Sequence, residues 1–442
     1  MANRKSMNRR QFIKRTASAA IGGFAFPYII PSSVLGKSHG VAPSNKITVG
    51  CVGVGNQGRG DMHSFLEQSD ARVVAVCDVD ANHLREAKED VDRKYGNKDC
   101  ATYRDFRDLV ARNDIDVVQI TTPDHWHALV AIAAAKAGKD MYGEKPFAHS
   151  LLEGRAACDA IQRYGRVWQT GSQMRSDAHN QFACELVLNG RIGKVHTVEV
   201  GMPGGLSEYE VFNGDKGVTV TKPPKELNYD FWLGPAPYSA YVPARVHWNW
   251  RWNLEYGGGL LMDWVGHLVD IAHWGLGLDR TGPVEIDGVG EYLMDGLWNT
   301  AARYRIKAKY ANGIEMTIAG AHDDIEGGVK WIGEDGWVST WDNVDARPKS
   351  LLSEKFSPNE ISLRPLSTRG GHTRNFLDCV KSRATTIAPS EVGHRSASVG
   401  HLGQISMLLG RKIRFNPETE EIIGDATATR MLGNAMRSPW HL

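Results

Sequence analysis

Gly53-Val54-Gly55-Asn56-Gln57-Gly58 follows an apolar run of strand length, Ile47 to Val54, and opens a segment able to form a helix. The three glycines have separate tasks in such a turn. The first permits the tight bend, the second lets backbone approach a pyrophosphate, and the third lets helix and strand pack closely. The helix N-terminus then offers unpaired N–H groups and positive dipole to phosphate. Twenty residues past Gly58, Asp78 ends a second β-rich run, where a carboxylate accepts hydrogen bonds from ribose hydroxyls. No Lys or Arg follows before Arg85, so a 2′-phosphate would meet repulsion without a partner. Gly53, Gly55, Asn56, Gln57, Gly58 and Asp78 are therefore expected to hold a dinucleotide, NAD rather than NADP.

Thr121-Thr122-Pro123-Asp124-His125-Trp126-His127 ends a third strand, at the sheet edge where ligands of such folds bind. Thr122, Pro123 and His127 are expected beside the cofactor. The two histidines and Trp126 are either metal ligands or capping and packing groups. No acidic cluster joins them at ligand spacing, and no metal is expected. Glu144-Lys145-Pro146 ends the next strand, and Glu144 and Lys145 complete the expected cofactor wall. A fixed ammonium beside a nicotinamide would hydrogen-bond a substrate hydroxyl and favour its partly ionised form. Further on, Gly257-Gly258-Gly259 precedes Leu260 to Asp270. On a helix Asp263, His267, Asp270 and Trp274 follow steps of four, three and four, and share a face. Such a stripe is costly against core, so it is expected to line a wet cavity.

The elements that must position these groups alternate. After the first strand, Gly58 to Ser69 reads as a helix, Ala71 to Val76 as a strand, Asp105 to Arg112 as a helix and Ile115 to Thr121 as a strand. His125 to Ala137 (helix), Met141 to Gly143 (strand), Ser150 to Arg163 (helix) and Arg166 to Thr170 (strand) continue the rhythm, which implies βαβ units and a parallel sheet. Beyond Gln173 the rhythm changes. A Gly- and Pro-rich stretch from Pro203 to Pro243 is followed by a helix, Gly259 to Trp274, and five successive strand candidates between Val284 and Trp341. Strands without intervening helices predict an antiparallel sheet and a second α+β domain. Glu391 to Leu409 reads as a helix capped by Ser390.

At 442 residues the chain exceeds what one core usually organises. Its net charge of +1 conceals an asymmetry, because residues 1–43 carry seven Lys or Arg and no acidic residue. The remainder is acidic, which excludes a nucleic-acid face. Arg9-Arg10-Gln11-Phe12-Ile13-Lys14, followed by a mild apolar stretch to Ile30, is similar to a twin-arginine export signal. That stretch is too short to span a bilayer, so no membrane partner is expected for the mature chain and a periplasmic location is. Six cysteines are scattered without paired spacing, so neither a disulfide framework nor a zinc site is indicated. Trp248, Trp250 and Trp252 cluster with Trp264 and Trp274, either as flat faces for a sugar or as core.

Together the glycine turn, Glu144-Lys145-Pro146 and Asp263-x-x-x-His267 resemble the Gfo/Idh/MocA oxidoreductases from about Lys46 to the C-terminus. The resemblance implies a Rossmann domain (44–172) behind a signal and linker (1–43). After it comes an α+β domain (173–442) with a large, mostly antiparallel open sheet. It also implies catalysis by Lys145, Asp263 and His267, NAD as cofactor, a carbohydrate substrate, and a homodimer or homotetramer. Folded export to a compartment with little free NAD implies that the NAD is tightly bound. Hydride transfer from a secondary alcohol carbon is the expected reaction: His267 takes the hydroxyl proton, and Asp263 either orients it or binds a neighbouring hydroxyl. A branch of the same family consists of NAD-dependent glycosidases, which use the same residues in a redox-neutral cycle. Gln173, Arg175, Trp250, Arg251 and Asp270 are candidates for substrate contact.

Overall fold

The computed structural model describes residues 45–203, 219–292, 296–363 and 371–442. The segment similar to an export signal, and residues 204–218 of the Gly- and Pro-rich stretch, lie outside the described residues. Strands β1 (Ile47–Val52), β2 (Ala71–Cys77), β3 (Ala101–Tyr103), β4 (Val117–Ile120), β5 (Asp140–Gly143) and β6 (Trp168–Thr170) form a parallel sheet in the order β3-β2-β1-β4-β5-β6. Every residue of β4 and β5 is buried, as expected of strands covered on both faces. Helices α1 (Asn56–Leu66), α2 (Ala81–Tyr95), α3 (Phe106–Val110), α4 (Asp124–Lys136) and α5 (Leu151–Arg163) connect them. The strand order reverses between β1 and β4, which opens a crevice at the C-terminal strand ends.

After a short 3₁₀ turn, Gln173–Ser176, the chain runs through α6 (Ala178–Leu188), β7 (Val195–Met202) and α7 (Tyr229–Leu233). Two further 3₁₀ helices, Pro243–Arg245 and His247–Trp252, lead to α8 (Gly259–Leu276). Next come β8 (Glu285–Tyr292), β9 (Ala301–Lys309), β10 (Glu315–Gly320), β11 (Gly328–Gly333), β12 (Gly336–Thr340) and β13 (Val344–Arg347). Helices α9 (His372–Ser382) and α10 (Ser390–Leu409), strands β14 (Ile413–Asn416) and β15 (Glu421–Ile422), and α11 (Ala426–Arg430) complete the chain. The second sheet has the order β13-β12-β11-β7-β10-β9-β8-β14-β15 and is antiparallel except for the pair β7 and β10.

Its faces differ, as the alternation along β9 illustrates. Ala302, Tyr304, Ile306 and Ala308 are buried, while Lys307 and Lys309 are exposed. Helices α8 and α10 lie on the apolar face: Trp331 of β11 donates its indole N–H to Ala272 O at 3.2 Å, and a Cβ at Gly403 would lie 2.6 Å from Ile306 Cδ1. Two sequence expectations fail here. Helix α2 and strand β3 fill a stretch for which no element was expected. Ser390 does not cap α10; it is the helix's first residue, and Pro389 holds the cap position without a side-chain bond. The six cysteines are buried and unpaired. No described helix is long and apolar enough to cross a membrane.

Candidate active site

The glycine turn is fixed by contact rather than by sequence habit. Gly53 has φ 77°, and a Cβ there would lie 2.5 Å from Thr121 O; one at Gly58 would lie 2.0 Å from Gly53 O. Neither position admits a side chain, because the atoms in the way are backbone. Helix α1 then begins at Asn56 with no side-chain cap, leaving its first N–H groups free for an anion. Asp78, at the end of β2, accepts from Val54 N and Asp80 N, both at 2.9 Å, which sets its carboxylate against the turn. A cleft of about 470 Å³ runs past Gly53, Gly55, Asn56, Gln57, Gly58, Asp78, Thr122, Pro123, His127, Glu144 and Lys145. The expected cofactor residues therefore meet on one wall. Thr122 Oγ1 is buried there without a partner among the described residues. A tight anion cradle, a carboxylate at the end of the neighbouring strand and a hydroxyl unsatisfied among the described residues fit a dinucleotide.

Gln57 and His127 do more than line the cleft. Gln57 Nε2 donates to Asp61 Oδ1 at 2.9 Å, and the His127 ring nitrogens lie 2.7 Å from Pro146 O and 2.8 Å from Thr122 O. His127 thus ties the β4 and β5 loops together. His125 is likewise directed at a carbonyl, Trp232 O at 3.0 Å.

At the end of β5 the chain brings chemistry together across both sheets. Lys145 Nζ donates to Asp263 Oδ1 and to Asp263 O, each at 2.8 Å. This contact exists because α8 approaches closely: a Cβ at Gly266 would lie 2.7 Å from Lys145 Cβ, and Ser172 Oγ donates to Gly266 O at 2.7 Å. Burial alone would raise the Asp263 carboxyl, but Lys145 and Arg251 outweigh it and hold the group at about 2. Burial, reinforced by Lys145 and opposed by Asp263, lowers the His267 imidazole to about 3. It is therefore neutral in ordinary buffer, and its Nδ1 is buried without a partner among the described residues. His267 packs edge-on against Trp264 at 5.6 Å and lies one turn beyond Asp263, outside the cleft lining.

Behind Lys145 lies a second layer. Glu144 is buried, accepts from Gln173 Nε2 at 2.7 Å, and is held well above the carboxylate range by burial and by Asp61. Asp61, which also accepts from Thr121 Oγ1 at 3.1 Å, is raised to about 6 by burial against the opposing bonds from Gln57, Thr121 and Glu144. Two carboxyls so close hold a proton between them. Asp124, the first residue of α4, is raised well above its ordinary value by burial, which outweighs Arg251. Arg251 joins the carboxylate of Asp263, its Nε 3.4 Å from Oδ1, and its guanidinium carbon packs 4.2 Å from the Trp248 centroid and 4.6 Å from that of Trp250.

Three expected substrate contacts are corrected. Arg175 and Asp270 are each 1% exposed and bond one another at 2.5 Å, with Asp279 at 2.8 Å from Arg175 and the Trp274 ring at 4.8 Å. They form a buried ion cluster outside the cleft, where a charge is tolerated only with its partner. The polar stripe on α8 therefore divides, its first half toward Lys145 and its second half into this cluster. Gln173 holds Glu144 and does not line the cleft. Trp250 and Arg251 do line it. Sequence reasoning missed Asp61, Asp80, His83, Asp124 and His247. Only Asp124, inside the motif after β4, carried a positional signal.

Comparison with known proteins agrees with this geometry. Residues 47–172 match the oxidoreductase family, NAD-binding Rossmann fold (GFO_IDH_MocA), and residues 181–442 match the oxidoreductase family, C-terminal alpha/beta domain (GFO_IDH_MocA_C2). The chain is 28% identical over 296 residues to a 1-carboxy-3-chloro-3,4-dihydroxycyclohexa-1,5-diene dehydrogenase of Comamonas testosteroni, an alignment covering 65% of this chain and 62% of that protein. It is 36% identical over 117 residues to a glycosyl hydrolase family 109 protein of Shewanella sp. (strain ANA-3), covering 26% of this chain and 25% of that one. The chain thus spans less than two thirds of the length of these relatives. Among solved structures, the WlbA dehydrogenase of Bordetella pertussis, in complex with NADH and UDP-GlcNAcA, superposes with a TM-score of 0.62 at 20% identity, over 84% of this chain and 99% of that one. With both domains matched and the glycine cradle, Lys145 and Asp263 in one cleft, the chain belongs to the Gfo/Idh/MocA oxidoreductase family, its first domain being that family's NAD-binding Rossmann fold.

Proposed function

We propose that the protein oxidises a secondary hydroxyl of a sugar or glycoside to a ketone. The observation that carries this reading is the Lys145–Asp263 contact at the C-terminal end of β5, with an indole-packed arginine on the same carboxylate and in the same cleft. Bound NAD supplies the hydride acceptor. Lys145 donates a hydrogen bond to the reacting oxygen, stabilising the charge that develops there. His267, unprotonated at neutral pH, takes the hydroxyl proton of a substrate that reaches one turn of α8 past the cleft lining. Asp263 stays ionised, its charge either favouring the imidazolium that forms or binding an adjacent hydroxyl. Trp248 and Trp250 offer apolar faces to a pyranose ring. The sugar nucleotide bound by the WlbA dehydrogenase supports a carbohydrate substrate.

The similarity to the family 109 hydrolase supports a second reading, in which oxidation, elimination, hydration and reduction return the cofactor to its starting state. Mass spectrometry of products from a panel of glycosides separates the two. A keto-sugar with NADH is expected; a hydrolysed sugar without net NADH establishes the second reading, and an untouched panel overturns both.

The basic N-terminus supports export by the twin-arginine route as a folded protein. An exported enzyme meets little free NAD, so in this proposal it carries the cofactor tightly bound. The polar face of the nine-stranded sheet is the surface through which it would pair as a dimer or tetramer.

A further inference from the structure

Asp80, His83 and His247 each present one donor atom within 4.8 Å of the other two. Asp80 caps α2, its Oδ1 accepting from Asn82 N at 2.7 Å. Its other oxygen, Oδ2, lies 3.7 Å from His247 Nε2. That distance is too long for a hydrogen bond. It is close to the roughly 3.4 Å that separates two donors on one tetrahedral ion with bonds of about 2.1 Å. His83, on the first turn of α2, sets its ring edge-to-face with His247, centroids 5.1 Å apart. His247 comes from far along the chain, at the start of the Trp-rich 3₁₀ helix, and has φ 55°, a conformation that residues with a Cβ adopt only when their surroundings impose it.

We propose that Asp80, His83 and His247 form a binding site for a divalent transition-metal ion of the zinc class. Two imidazole nitrogens and one carboxylate oxygen suit such an ion, whereas Mg²⁺ and Ca²⁺ take oxygen donors. All three residues line the cleft, which leaves a fourth position open to it. The site belongs to the β2 end of the sheet. Three strand spacings of about 4.8 Å, through β1 and β4 to β5, separate it from the end that carries Lys145. The ion is therefore a clasp: it fastens the segment bearing Trp248, Trp250 and Arg251 onto the Rossmann side of the cleft and takes no part in hydride transfer.

The test uses untagged full-length protein, freed of metal with a chelator and titrated with Co²⁺ and then Zn²⁺. One equivalent of Co²⁺ with the intense visible bands of a four-coordinate site is expected, displaced by Zn²⁺. His83→Gln and His247→Asn are each expected to weaken Zn²⁺ by at least about tenfold, since each removes one of three protein ligands. Asparagine is chosen at 247 because it tolerates the left-handed backbone. Zn²⁺ should raise the thermal midpoint of the unaltered protein and not of the variants, and melting in chelator identifies any variant that fails to fold, leaving the other to decide. Absence of stoichiometric metal binding, or binding unaltered in the folded variants, overturns the proposal. Neither readout depends on which sugar is oxidised.

Discussion

Replacing Lys145 with methionine removes the ammonium while keeping most of the side chain's bulk. Two consequences can be sized. Holding the buried Asp263 carboxyl at about 2 rather than its ordinary 3.8 corresponds to roughly 2.4 kcal/mol, at 1.36 kcal/mol per decade. Because the folded-state value is depressed, that stability is present above about pH 4 and is lost as pH falls through 2. Burial still opposes ionisation once Lys145 is gone and only Arg251 at 3.4 Å remains, so the variant should lose more than half of it, at least about 1 kcal/mol at pH 7. Its acid limb should begin at higher pH than that of the unaltered protein. Turnover should fall at least about a hundredfold, equivalent to roughly 2.7 kcal/mol of lost transition-state stabilisation. Urea unfolding between pH 3 and 7 and steady-state kinetics on the same preparations measure both. A folded Lys145→Met protein turning over within about fivefold of the original would refute the catalytic reading. A superimposable stability profile would refute the electrostatic one.

His267→Ala should leave the fold intact and lower turnover by about a hundredfold or more, the scale of a lost general base; activity close to normal would remove His267 from the mechanism. Asp78→Ala should weaken NAD far more than NADP in calorimetry, and a preference of the unaltered protein for NADP would sink that assignment. Arg175→Met should cost about 3 kcal/mol in denaturant unfolding, the scale of a broken buried ion pair, with KM unchanged; a raised KM without lost stability would return Arg175 to the substrate. Protein purified without added nucleotide should release near-stoichiometric NAD or NADH on denaturation, and replacing Arg9-Arg10 with a lysine pair should leave the precursor in the cytoplasm. Empty protein with freely exchanging NAD would break the link between export and retention.

The parallel sheet was legible because its strands are short apolar runs closed by glycine turns, and because Gly53 and Gly58 occupy positions that steric contact denies to any other residue. Helix α2 was not legible. Its fifteen residues are mostly charged and its apolar stripe is thin, Leu84, Ala87 and Val91 at helical steps of three and four, so its signals beside that stripe are the Asp80 cap and Gly96 at its end. The α8 stripe was read with the right period and the wrong extent. Helical spacing places Asp263, His267 and Asp270 on one face, but only tertiary contact decides that Asp263 meets Lys145 while Asp270 meets Arg175. Asp61 and His83 escaped notice for the same reason: their partners, Glu144 and His247, come from other strands and loops.

The main-chain half of the Lys145 contact has a consequence for any scan of position 263. Nζ lies as close to the Asp263 carbonyl as to the carboxylate, and every residue type supplies a carbonyl. An amide or even an alanine at 263 would still leave the ammonium docked on the same turn of α8. The two atoms of one residue thus separate placement from charge: substitution there acts as a dial on the local field while the lysine stays where the helix backbone holds it.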